Sequence, residues 1–103
     1  MTTLGLLAAT ALLLTPAPTA DPTPTACPSG APHYDFTGMN INMRSTPGGN
    51  YVGSANQGDC ALWYQTDPGP TVQCPDGTPS IGWLLVQNKR TRVVGYVSSC
   101  YLA

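Results

Sequence analysis

From Tyr34 to Leu102 the chain alternates short apolar stretches with clusters of turn residues. Turn signals recur about every eight to twelve residues, the spacing of an all-β sandwich or small barrel. The stretch Asn40-Ile41-Asn42-Met43-Arg44 sets the pattern. Ile41 and Met43 share one face of an extended strand, and Asn40, Asn42 and Arg44 share the other. Pro47-Gly48-Gly49 then breaks the strand, because proline cannot donate to a ladder and glycine weakens one. Eleven glycines and eleven prolines in 103 residues work against long helices and favour short strands.

The same logic places further strands at Tyr34–Phe36, Met39–Arg44, Tyr51–Ala55, Cys60–Gln65, Thr71–Cys74, Ile81–Gln87 and Arg92–Val97. A 3₁₀ turn is expected at Ser98–Cys100, followed by a terminal strand pair at Tyr101-Leu102. Asn56–Asp59, Asp67-Pro68-Gly69-Pro70, Pro75–Ser80 and Asn88–Thr91 read as the connecting turns. At this length a closed barrel is favoured, since closure removes exposed strand edges. The expected domain is therefore all-β, a small barrel of five to seven short strands over residues 33–103.

The N-terminal third is of another kind. Leu4 to Leu14 is an apolar run of eleven residues, too short to span a bilayer and suited to a signal-peptide core. Residues 1–20 are read as a signal peptide, with Ala17, Ala20 and Ala26 as cleavage positions and Ala20 preferred. Residues 16–32 hold six of the eleven prolines, mixed with threonine and alanine. Such a stretch stays extended and cannot bury a core, so residues 21–32 are assigned to a Pro/Thr-rich linker.

Four cysteines in a short chain behind an apolar N-terminus indicate two disulfides and an oxidising compartment. No C-x-x-C pair exists and His33 is the only histidine, so neither a metal nor a cofactor is expected. Four cysteines permit three connectivities. Cys60 and Cys74 flank the expected turn at Asp67–Pro70, which would bring them together. Lipidation of Cys27 is disfavoured, because Pro24 stands three residues before it and an odd thiol would be stranded.

Charge excludes some partners. Four basic and five acidic residues give a net charge of −1, with no basic stripe for nucleic acid. Lys89, Arg90 and Arg92 cluster at an expected hairpin tip, where a solvated turn is the simpler reading. His33 and Asp35 can pair on one strand face, but no nucleophile sits in a recognised elbow and the aspartates are scattered, so no enzyme activity is expected. Arg44 is expected to span its loop by hydrogen bonds to carbonyls.

Three blocks in order carry a resemblance: Asn42-Met43-Arg44-Ser45-Thr46-Pro47-Gly48; Val52-Gly53-Ser54 leading to Gly58; and Gly82-Trp83 to Val86, followed by Gly95-Tyr96-Val97-Ser98-Ser99-Cys100-Tyr101-Leu102. On these residues 33–103 resembles the bacterial SH3-like (SH3b) domains. The resemblance implies an SH3-like barrel whose chain end returns to its beginning, which favours Cys27–Cys100 and, with it, Cys60–Cys74. It implies a ligand groove near Trp83 and Tyr101, with Tyr51 as a third aromatic. It also implies a secreted, monomeric, non-catalytic module for cell-wall peptidoglycan or its peptide, with no membrane contact after signal removal. Residues 65–80 and the four cysteines depart from a minimal member of that family. A protein-interaction or inhibitor domain, presenting the 66–80 loop to a secreted partner, is the alternative.

Overall fold

The computed structural model describes residues 27–103. The signal peptide assigned to residues 1–20 and the spacer up to residue 26 lie outside the described residues. Six strands follow in order: β1 His33–Asp35, β2 Ile41–Arg44, β3 Tyr51–Ala55, β4 Cys60–Gln73, β5 Pro79–Asn88 and β6 Val94–Ser98, with a 3₁₀ turn at Ser99–Tyr101. They form one antiparallel sheet in the order β1-β4-β5-β6-β2-β3. The sheet is all-β as expected and curls into a half-barrel, a shape compatible with the small closed barrel that the sequence favours. The chain end returns to β1: Ala103 and Asp35 exchange backbone hydrogen bonds of 3.0 and 2.8 Å, and Phe36 bridges Leu102.

Period-two alternation decides which residues fill the curl. Ile41 and Met43 of β2, Leu84 and Val86 of β5, and Val97 of β6 point inward and join Phe36, Ala55 and Ala61 in the core. Each large side chain of this kind contributes about 1.5–3 kcal/mol on burial. Gly95 makes the curl possible. A Cβ there would lie 2.9 Å from Val52 Cγ2 and 3.2 Å from Met43 Cβ, so no larger residue lets β6 cross the β2–β3 pair so closely.

Two expectations are corrected. Asp67–Pro70 is not a turn between two strands but lies within the single long strand β4. Beyond Leu62, β4 is laddered on one side only, to β5. Between Pro68↔Gly82 and Val72↔Ser80, β4 spends four residues where β5 spends two. A bulge on an edge is where proline is tolerated in a sheet. The expected disulfides Cys27–Cys100 and Cys60–Cys74 are replaced by Cys27–Cys60 and Cys74–Cys100, with Cα separations of 5.1 and 5.0 Å.

The geometry of β4 explains this exchange. Cys60 begins the strand and Cys74 follows its end, so extended chain at about 3.3 Å per residue holds them far apart. A bridge tolerates a Cα separation of only about 7 Å. Ahead of β1, a turn closed by His33 N–H donating to the Gly30 carbonyl sends Cys27 back alongside Cys60. Pro32, placed by sequence in the linker, accepts the Trp63 N–H at 2.7 Å. The 3₁₀ turn meanwhile sets Cys100 against the far end of β4. The bridges therefore close two successive loops, one at each end of the long strand.

Candidate functional site

The sheet face opposite the core carries the polar half of each alternation. Across it, Tyr51, Arg44, Tyr96, Leu85 and Gln65 form one row of directly opposed residues from β3 to β4. A second row runs through Ser98, Trp83 and Asp67. Trp83 is outward-facing by register, since its neighbours Leu84 and Val86 point to the core. Yet it is only 5 % exposed.

The β4 bulge is the reason. Pro70 lies along the Nε1 edge of the indole, where its carbonyl accepts the Trp83 Nε1–H at 3.0 Å. Gly69 lies so close that a Cβ would sit 2.7 Å from Trp83 Cδ1 and 2.5 Å from Pro47 Cβ. Pro70 also lies against Gly48, where a Cβ would be 2.7 Å from its Cγ; Gly48 itself has φ +70°, a conformation glycine adopts without strain. Residues 68–72 thus form a strap that closes the ring against the Ser45–Asn50 loop. The departure at 65–80 covers the tryptophan instead of leaving it as an open platform.

Beside the strap lies a cleft of about 230 Å³, lined by Met39, Asn40, Ile41, Asn42, Arg44, Val72, Trp83, Ser98 and Tyr101. Of the three aromatics expected in a groove, Trp83 and Tyr101 come together here. Tyr51 is 59 % exposed but stands one strand away, opposite Arg44, and does not line the cleft. Most of the remaining lining comes from Met39 to Arg44, which sequence reasoning treated as strand and loop. Its signal was the asparagine–arginine edge of that strand. Asn40 takes φ 53°, and its backbone N–H donates to Asn56 Oδ1 at 2.8 Å, which fixes where β2 begins.

Arg44 Nη1 donates to the Gly49 carbonyl at 2.9 Å, spanning the loop as expected. The guanidinium has further N–H donors. Among the described residues the one ion pair joins Arg90 to Asp59, so Arg44 has no carboxylate partner there. Asp67, the acid on the same face, is engaged elsewhere. It accepts the Tyr96 hydroxyl at 2.6 Å and the Gln65 amide at 2.7 Å. These two hydrogen bonds, the tyrosine's first, hold its carboxyl below the usual aspartate value. The same contact with Asp67 pushes the Tyr96 phenol up.

The cleft thus combines apolar walls from Met39, Val72, Trp83 and Tyr101 with a polar edge that holds no acid. Among the described residues no three His, Cys, Asp or Glu side chains gather as a metal site. All four cysteines are bonded in disulfides, which fits an oxidising environment. Comparison with protein-family models, with curated proteins and with solved structures finds no match.

Proposed function

We propose that this chain is an exported, non-catalytic binding module of SH3-like architecture, and that its cleft recognises bacterial cell-wall peptidoglycan or its peptide. The observation that carries the reading is the cleft itself. A small concavity with apolar walls and a few convergent hydrogen-bonding groups is the ordinary form of a ligand site. Export is supported by the two disulfides and by the apolar run in the sequence at Leu4–Leu14. The SH3-like reading is supported by the three sequence blocks, and a curled six-stranded sheet is compatible with it.

The test is retention on purified cell walls. Met39 is 67 % exposed and Asn42 is exposed, so Met39→Asp and Asn42→Ala alter the cleft without touching the core. Wild-type protein is expected to sediment with walls and the double variant to stay in solution. Equal retention of both, or retention of neither, overturns the reading.

One observation favours the alternative, a domain that presents a loop to a secreted protein. Pro75 to Thr78 is an exposed tip whose base is fixed by Cys74–Cys100. Within it Asp76 Oδ1 accepts the Thr78 N–H and hydroxyl at 3.0 and 2.7 Å. Rigid scaffolds commonly display binding loops in this way. Replacing 75–78 with a glycine-rich turn abolishes partner capture under that reading and leaves wall retention intact.

A further inference from the structure

We infer that the cleft takes the free C-terminal end of a short peptide, with the terminal carboxylate anchored on Arg44 and small apolar residues seated against Met39, Val72 and Tyr101. The inference rests on the reading of this cleft as a ligand site and names the chemistry it selects.

Charge is the first argument. Arg44 is half-buried, lines the cleft and has no acid beside it among the described residues. Its bond to the Gly49 carbonyl fixes the side chain while leaving other N–H donors for a ligand. A guanidinium held in place at the edge of an apolar hollow presents a planar fork that matches a carboxylate. No aspartate or glutamate is among the lining residues, so no carboxylate in the cleft opposes an incoming anion.

Size is the second argument. About 230 Å³ lies below the roughly 300–1,000 Å³ of sites that enclose a drug-sized molecule. The strap closes the cleft on the Trp83 side, so an extended chain cannot run on across the indole. A hollow that is short and stopped at one end accepts a chain terminus better than a chain interior. The Asn42 side chain, exposed on the same face of β2, stands where a peptide amide would need a partner.

The experiment is a titration of isotope-labelled wild-type protein, followed by amide chemical shifts, with N-acetyl-Ala-Ala as the free acid and as the C-terminal amide. The acid is expected to shift the Met39–Arg44 and Ser98–Tyr101 amides, and the amide to bind at least about tenfold more weakly, the usual scale of a charge-assisted hydrogen bond. Arg44→Gln is expected to remove that preference and Arg44→Lys to keep part of it. Equal binding of acid and amide, binding of neither, or shifts elsewhere overturns the inference. Wall retention is scored separately. Retention with no acid preference overturns the carboxylate anchor and leaves the wall reading standing; acid preference without retention does the reverse.

Discussion

Replacing Asp59 with alanine should be among the most damaging single changes away from the apolar core. Asp59 is 5 % exposed, and its carboxylate accepts four hydrogen bonds. Arg90 Nε donates to Oδ1 at 2.6 Å and Nη2 to Oδ2 at 3.0 Å; the Asn88 amide and the Asn56 backbone N–H each donate at 3.0 Å. Asn88 is fully buried, so Asp59→Ala leaves its amide with only a 3.5 Å contact to the Ser54 carbonyl. A buried donor left unsatisfied costs about 1–3 kcal/mol. The Arg90 side chain is 46 % exposed, so water screens its share and the orphaned Asn88 amide dominates. The loss expected from that orphaned donor is about 1–3 kcal/mol for Asp59→Ala, from a total of roughly 4–12 kcal/mol for a domain of this size. The melting temperature should fall by roughly 4–24 °C. Arg90→Ala should cost about half as much or less, because water can replace the guanidinium on the open side. Thermal and urea unfolding of the two variants measure the difference. A loss in Asp59→Ala no larger than in Arg90→Ala would refute the claim that buried, unpaired donors dominate.

The same carboxylate sets an acid limit. The Arg90 guanidinium holds Asp59 below its usual value, so its stabilisation is fully present above about pH 4 and is lost as pH falls through the native value. Melting temperatures taken downward from pH 5 should drop more steeply for wild type than for Asp59→Ala; parallel curves would contradict this. Reduction of both disulfides releases loops of 33 and 26 residues, worth about 3.7 and 3.5 kcal/mol in the chain-entropy model. The reduced chain should be unfolded at 37 °C by far-ultraviolet circular dichroism, and a native spectrum after full reduction is the contrary result. Gly69→Ala should lift the strap off the indole. In a Trp63→Phe background, acrylamide quenching of Trp83 should rise several-fold, and unchanged quenching would show that the strap does not depend on that close approach.

Much of the sheet was legible because its signals are local. Tyr51–Ala55 is a strand with the expected bounds, and the inward pair Ile41 and Met43 follows from alternation alone. Pro68-Gly69-Pro70 was misread because the rule that proline stops a ladder assumes partners on both sides. Here one side is open and the bulge absorbs two extra residues. The disulfide exchange follows from the same error: with a turn at 67–70, Cys60 and Cys74 are neighbours; with a continuous strand they are its opposite ends. Asp59 read as a turn residue, since its burial depends on Asn88 and Arg90, 29 and 31 positions away. At the cleft, Trp83 and Tyr101 were legible as a pair, whereas the cover over the indole depends on a contact between residues 47–48 and 69–70 that no local pattern encodes.

That cover changes what the outer face can recognise. An open tryptophan would offer a broad stacking surface, where contact area supplies most of the affinity and many flat ligands qualify. With residues 69–70 along its Nε1 edge, Nε1–H already donated to the Pro70 carbonyl and only 5 % of its surface exposed, the indole contributes little more than part of a wall. Under the proposed binding role, discrimination passes to directional groups on β2, whose placement is fixed by the Asn40–Asn56 and Arg44–Gly49 hydrogen bonds. Such a site is selective but small, and one copy gains little area from each ligand. A repetitive polymer offsets that weakness, because many cleft-sized termini close together raise the chance of rebinding after each release. If the proposed wall binding holds, the soluble fragment should bind far more weakly than the intact wall, and the ratio should fall toward unity as the wall is digested to isolated units.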